Sequence, residues 1–235
     1  MKGTLKHIVS AYYKTLEKVA CWLPEPKYTR LRNRKLYDWM NQNAPGKKVL
    51  NLGSGIGNFD NWLSEDVKRI NLDIDSSKPS VDIIGDGHCL PFRDGAFDIV
   101  YSIAVLEHVR KPWIVSEEIY RVLRKGGHVV LELPFLNVIH DHDDYFRFSD
   151  RGIRVLFDET RFDVVLDQVG SGGGSFLSVF LFVYLRQFIW GPLRVYWVMF
   201  TRYFFCLLRY LDVAVNNSDE LRLTANSFTF IGKKV

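Results

Sequence analysis

Between Lys48 and Leu133 the chain returns repeatedly to short, apolar, β-branched runs: Lys48–Leu52, Lys68–Asp73, Val81–Ile84, Phe97–Ser102 and His128–Leu133. Each has the length of a strand, and their nearly unbroken apolar character implies cover on both faces. Helix-patterned or loop segments stand between them. The clearest is "KPWIVSEEIYRVLRKGG" (111–127), with Pro112 near its start, Ile114, Ile119 and Val122 inside and Gly126-Gly127 beyond its end. This alternation predicts an α/β chain built on a mostly parallel sheet. One link is short: only "IDSSKPS" separates Asp73 from Val81. A parallel crossover normally takes about a dozen residues, so either this link is a bare loop or the strand limits lie elsewhere.

A chain of 235 residues can hold one large α/β domain or two small ones, and 47% hydrophobic with 25% charged residues is a globular balance. The net charge of +4 permits anionic partners and does not call for nucleic acid, which is not expected as a partner. Cys21, Cys89 and Cys206 are scattered and odd in number, which suits a reducing compartment. Lysines interrupt the first twenty residues too often for a signal peptide. A cytoplasmic location is expected.

The first apolar run breaks into "VLNLGSGIGNF", with glycines at 53, 55 and 57. A strand entering a glycine-rich turn and then a helix lets backbone approach a nucleotide closely and aims N–H groups at it. The dinucleotide fingerprint G-x-G-x-x-G/A wants a small residue at 58; Asn58 stands there, so the spacing disfavours NAD. In order along the chain follow "INLDID", "GDGHCLPFRDGAFDIVYSIAVLEHV" and "EIYRVLRKGGHVVLELP". Together these resemble a class I S-adenosylmethionine-dependent methyltransferase over about residues 48–170, of the type 11-like branch. The resemblance implies a Rossmann-like, seven-stranded, mostly parallel sheet, with "NSFTFIGKKV" as an antiparallel last strand and a helical insert before it. It implies S-adenosylmethionine as cofactor, bound by Asn51, Gly53, Ser54, Gly55, Gly57, Asp73, Asp86, Gly87 and Ser102. Asp73, at a strand's carboxyl end, would accept the ribose hydroxyls, with Asp75 the alternative. Asp86 would accept the adenine amino group beside the Gly87-His88 backbone, and the Ser102 backbone would lie beneath the sulfonium. Asn51 departs from the family, which usually carries Asp or Glu there, near the cofactor's ammonium. A neutral acceptor forms about half as strong a bond as a charged one, so cofactor binding should be weaker or compensated elsewhere.

Methyl transfer to a hydroxyl needs alignment and a proton acceptor, with no intrinsic need of a metal. Candidates follow the fourth and fifth strands: Glu107 and His108 in "LEHV", and His140 to Asp144 in "HDHDD". His140 is the first choice as base, His108 the second, since imidazole titrates near physiological pH. "HDHDD" has metal-ligating residue types, but neighbours in one loop seldom converge, so no metal is expected. The segment from Pro134 to Gly152 is similar to a methyltransferase branch with the pattern P-F…H…D-Y-x-R-x-T-x-x-G, with Ser149 for Thr. That branch is often linked to polysaccharide or lipid-linked sugar biosynthesis. Asp144, Tyr145 and Arg147 are its candidate substrate-binding residues, Arg147 for an anionic group. The implied reaction is O-methylation of a saccharide or lipid-linked acceptor. A hydrophobic small-molecule acceptor and a non-catalytic cofactor-binding module are the alternatives.

Two flanking regions complete the organisation. Residues 1–47 read as an N-terminal helical cap: an amphipathic helix over 4–20, then a basic helix over 29–40 whose Arg30, Arg32, Arg34 and Lys35 suit a lid on the cofactor. The domain proper is 48–235. After Gly170 a flexible "SGGG" link leads into an aromatic-rich helical insert at about 171–218. Its longest apolar run, Phe176–Leu185, is too short for a bilayer span of about 20 residues. Arg, Trp and Tyr along 176–213 suit a cap over the acceptor site, a helix pair lying on a membrane surface, or a subunit interface.

Overall fold

The computed structural model describes residues 34–55, 63–189, 196–197, 200–201, 204, 206–214 and 219–235. The expected 4–20 helix and the start of the basic helix lie outside them.

The strands are β1 (Val49–Leu52), β2 (Arg69–Asp73), β3 (Ile83–Ile84), β4 (Phe97–Ile103), β5 (Leu123–Pro134), β6 (Phe162–Ser171) and β7 (Ser227–Lys234). They form one seven-stranded sheet in the order β3-β2-β1-β4-β5-β7-β6. β1 to β5 pair in parallel and β7 runs antiparallel to β5, with Val130 opposite Ile231. The expected Rossmann-like sheet with an antiparallel last strand is therefore present. The link from Asp73 to Ile83 is a bare loop. Asp82 extends the pairing beyond the two-residue β3: its N–H donates to the Asn71 carbonyl and its carboxylate accepts the Asn71 N–H at 2.8 Å.

Helices cover both faces. On one, α1 (Arg34–Asn43) buries Leu36, Tyr37 and Met40 against Val49, Ile99, Tyr101, Val130 and Ile231. On the other, α2 (Pro112–Val122) buries Val115, Ile119 and Val122, and α3 (Asp150–Leu156) buries Ile153, against Leu50, Leu52, Val100, Val129 and Leu131. Alternate residues of each strand thus serve alternate faces. Pro112 opens α2 where its missing N–H costs nothing. The Ser149 side chain caps α3 by accepting from the Gly152 N–H at 3.1 Å. α2 ends at Val122, earlier than its helical pattern, because Leu123 pairs beside Phe97 and starts β5.

The chain divides into two compact units. One comprises Asn33–Gly170 and Ala225–Val235 and holds the sheet core. It includes α1, so the boundary expected at residue 47 does not separate α1 from the strands it packs on. The other unit includes Ser171–Thr224. Within it, α4 (Gly173–Leu185), α5 (Cys206–Ala214) and α6 (Asp219–Leu223) are helical. The "SGGG" stretch is ordered rather than a flexible link: Ser171 ends β6, Gly172 caps α4, and Gly173 and Gly174 open it. The buried Asp212 carboxylate of α5 fixes it, accepting N–H groups of Gly172, Gly174 and Ser175 at 3.1, 2.7 and 2.9 Å and the Ser175 hydroxyl at 2.6 Å.

Candidate active site

The carboxyl ends of β1, β2, β3 and β4 lie side by side, the edge at which open α/β sheets bind ligands. β1 leaves the sheet through Gly53 and Gly55, both left-handed at φ 73° and 53°. At Gly53 even a methyl group would fail, since an added Cβ would stand 2.4 Å from a Val105 methyl. At Gly55 the position is open, with nothing within 4 Å of a Cβ. The Gly53 and Ser54 N–H groups donate to the Leu72 carbonyl at 2.8 and 3.1 Å. The Asp73 carboxylate accepts the Gly55 N–H at 2.8 Å on one oxygen and the Asp75 N–H at 2.9 Å on the other. Ser80, in the bare loop, closes the turn by donating to the Gly55 carbonyl at 2.9 Å.

The remaining expected cofactor residues fall along the same edge. Asn51 is buried in β1, and its amide donates to Asn71 Oδ1 on β2 at 3.0 Å. Asp86 is half-exposed beyond β3, its Oδ1 accepting the His88 N–H at 2.9 Å and facing His88 Nδ1 at 2.7 Å. These His88 contacts hold its carboxyl below the ordinary range against the opposing effect of partial burial. Gly87 sits against Leu52 and Val115. Ser102 is fully buried in β4. Gly57 lies outside the described residues.

Beyond β4 and β5 a second group assembles. Ala104 follows β4 in a left-handed conformation, φ 54°, with its N–H on the Glu132 carbonyl at 2.9 Å. A 3-10 turn, Leu106–His108, then presents Glu107 and His108. The segment after β5 clamps onto it: the Tyr145 N–H donates to the Glu107 carbonyl at 2.8 Å, and His108 Nδ1 lies 2.6 Å from the Asp143 carbonyl oxygen. His140 then meets His108, Nε2 to Nε2, at 3.1 Å. Glu107 Oε1 lies 3.8 Å from the Nε2 of each ring. The Glu107 carboxyl is fully buried, neither oxygen has a hydrogen-bond donor on another described residue, and burial pushes its pKa up to about 7.

Two of the expected substrate-binding residues, Asp144 and Arg147, are committed to each other. Arg147 grips the buried Asp144 with two nitrogens, one of them at 2.8 Å, and also donates to the Val138 carbonyl at 3.0 Å. The guanidinium holds the Asp144 carboxyl far below its ordinary range. The structure therefore places Arg147 as the brace of this loop. The half-exposed Tyr145 donates to Asp143 at 2.6 Å and accepts from Arg110 at 3.2 Å.

A family model described as "Methyltransferase domain" matches residues 50–131, from the glycine turn's strand into β5. Over that stretch the chain is similar to methyltransferase domains. An uncharacterised methyltransferase of Mycobacterium tuberculosis is 34% identical over 98 residues, a match that takes in 37% of this chain and 39% of the relative. The chain thus matches about two fifths of the length of such curated relatives. Among solved structures, BH2331 of Bacillus halodurans, provisionally called a methyltransferase, is similar in fold, with TM-score 0.53 and 14% identity over 85% of this chain and 97% of that one. So is the [4+2]-cyclase SpnF, with TM-score 0.55 and 16% identity over 88% of this chain and 80% of that one. The SpnF likeness shows that this fold does not by itself decide the chemistry.

The residues at this sheet edge fit S-adenosylmethionine on three counts. The left-handed Gly53 and Gly55 leave backbone bare at the turn. The buried Ser54 and Ser102 hydroxyls have no hydrogen-bond partner among the described residues, the kind of polar atom that a ligand completes. Asp73 spends one lone pair of each oxygen on backbone and keeps the others. Sequence reasoning placed Glu107 among the candidates after the fourth strand but preferred His140 and His108 to it. Its neighbour His108 was a signal of chemistry, but its burial comes from the Tyr145–Phe146 clamp, which no local pattern announces.

Proposed function

We propose that the chain transfers a methyl group from S-adenosylmethionine to a hydroxyl of a saccharide or lipid-linked acceptor. The observation that carries this reading is the convergence at one sheet edge of bare glycine backbone, the orphaned Ser54 and Ser102 hydroxyls and the Asp73 carboxylate. When bound, the sulfonium supplies an electrophilic methyl carbon. The Gly53–Gly55 turn, Asp73 and Asp86 would hold the cofactor, and Ser102 would lie near its reactive end. In the reaction the acceptor oxygen forms the new C–O bond, the C–S bond breaks, and the hydroxyl proton leaves. The Glu107–His108–His140 cluster handles that proton. The Arg147–Asp144 pair keeps His140 in place: Asp144 Oδ2 accepts the His140 N–H at 3.1 Å and lies 3.2 Å from its Nδ1.

Calorimetric titration with S-adenosylmethionine, with NAD as control, tests the cofactor half. Binding of the first and not the second is expected; binding of NAD alone would overturn it. Labelled-methyl transfer to glycolipid extracts tests the acceptor half, and cofactor turnover with no labelled lipid or saccharide product would count against it.

A lipid-linked acceptor suits a protein that meets a membrane surface, and we propose such contact through residues 176–213, at the cytoplasmic face. Its support is an aromatic ladder along α4 and the 3-10 turn after it, where Phe176, Phe180, Tyr184 and Phe188 follow one another at ring spacings of 5.5 Å and the last three are exposed. Among the described residues no helix is long and apolar enough to cross a membrane.

A further inference from the structure

The two imidazoles beyond β4 and β5 face each other in a way that two neutral rings cannot tolerate unaided. His108 Nδ1 lies 2.6 Å from the Asp143 carbonyl oxygen, which only accepts, so Nδ1 carries the proton. His140 Nδ1 faces Asp144 Oδ2 at 3.2 Å and the Val138 carbonyl at 3.3 Å, again acceptors alone. Each ring thus turns the lone pair of its Nε2 inward, and those two nitrogens are 3.1 Å apart. Lone pair against lone pair repels unless a positive centre lies between them. Glu107 adds a third inward-facing donor atom: its carboxylate is wholly buried, lacks any hydrogen-bond partner among the described residues, and has Oε1 3.8 Å from each Nε2.

A shared proton would satisfy the two rings and leave both Glu107 oxygens bare. A cation satisfies all three groups at once. The spacings also suit one: all three ligand atoms lie within 4.8 Å of one another. Four ligands arranged tetrahedrally at about 2.0–2.1 Å from a metal stand about 3.3 Å apart, and the separations of 3.1, 3.8 and 3.8 Å bracket that. The Nδ1–H contacts to a carbonyl and to an anchored carboxylate are the outer-sphere arrangement that orients metal-bound histidines.

We propose that Glu107, His108 and His140 form a binding site for a borderline divalent cation of the zinc class, with one coordination position left open. Two imidazole nitrogens and one carboxylate favour such an ion over magnesium, which prefers an all-oxygen shell. The site is assembled from two loops, so the "HDHDD" run contributes His140 alone. Its part in the reaction rests on the methyl-transfer reading above: the open position would take the acceptor oxygen and acidify its hydroxyl, whose proton would pass to solvent, so that the cluster would handle the proton through the bound cation, with His108 and His140 as its ligands. The site itself does not depend on that reading.

The test is a titration of the full-length, chelator-treated protein with cobalt(II), followed by its visible absorption, and with zinc by calorimetry, with S-adenosylmethionine absent. One equivalent is expected to bind. His108→Ala, His140→Ala and the near-isosteric Glu107→Gln should each weaken binding by at least about 10-fold, with the circular dichroism of each variant unchanged. His142→Ala, whose side chain is 95% exposed two residues from His140, should bind as the parent does. No stoichiometric binding by the parent overturns the proposal. So does an equal loss in His142→Ala and His140→Ala, which would mark adventitious capture by the loop. Failure here leaves cofactor binding untouched, and failure of cofactor binding leaves this site untouched.

Discussion

At the residue scale, the glycine turn and Asn51 were legible for opposite reasons. Gly53 sits where a left-handed φ and the Val105 side chain together exclude any Cβ. Gly53→Ala should lower stability by about 2–3 kcal/mol, read by denaturant unfolding, and abolish S-adenosylmethionine binding. Adding Val105→Ala should return the packing part and leave about 1 kcal/mol of backbone strain; no recovery would mean that the clash is not the cause. Asn51 stands out because it is a polar residue in an apolar strand, and it is 4% exposed with its amide on Asn71. Asn71 can turn its amide to donate to a carboxylate, so Asn51→Asp is tolerated at that contact. It should bind S-adenosylmethionine about 10-fold more tightly, as a charge-assisted bond replaces a neutral one, while melting at a lower temperature without the cofactor. Unchanged or weaker affinity would show that Asn51 does not stand in for the family's carboxylate. Glu107 was not legible in the same way. A carboxylate after a strand reads as solvated until the Tyr145–Phe146 backbone is seen folded over it.

At the scale of elements, periodicity located the strands because their cover is two-sided, and it failed where tertiary pairing outranks local preference. "RVLRKGG" continues the helical pattern of α2, yet Leu123 is drawn into the sheet beside Phe97. Gly127 permits this, since an added Cβ would stand 2.9 Å from the carbonyl oxygens of both Asp98 and Arg124. The Gly172–Gly174 run reads as a link because glycine is a poor helix former. Gly173 and Gly174 are helical because α5 comes close, a Cβ on Gly174 falling 2.1 Å from the Leu208 carbonyl oxygen, and because Asp212 supplies a cap that no sequence window contains. A buried carboxylate accepting three N–H groups and a hydroxyl is worth more than a surface cap. Asp212→Asn, which keeps the shape and loses the charge, should cost about 2 kcal/mol. Hydrogen exchange should report it as roughly 30-fold faster exchange at Gly174 and Ser175, with the amides of β1 and β4 unaffected. Equal acceleration across the sheet would assign Asp212 to global stability instead of the α4 cap.

At the scale of the whole molecule, the sequence divides its apolar residues between two purposes. Many of those of the sheet unit fill the core on its two faces. In the helical unit Leu177, Phe180 and Tyr184 on α4, Phe188 just beyond it, and Leu207 and Leu211 on α5 are exposed, as are Phe200 and Phe204, whose rings stack at 5.0 Å. Clustered exposed aromatic rings are costly in water and mark an interaction site. Aromatic rings with interspersed arginines, on helices too short to span, suit the boundary between lipid headgroups and chains. The chain's net charge of +4 adds attraction to anionic lipid. The proposed membrane contact therefore predicts that the protein floats with vesicles containing phosphatidylglycerol, and less with neutral phosphatidylcholine vesicles. Phe180→Glu combined with Phe204→Glu should leave it at the bottom of the gradient while S-adenosylmethionine affinity stays within about 2-fold, since each change places a charge on an apolar contact surface. Recovery of the parent entirely in the bottom fraction with both vesicle types would sink the membrane reading. If the parent then ran at twice the monomer mass on size exclusion and the double variant at the monomer mass, the same surface would belong to a second copy of the chain.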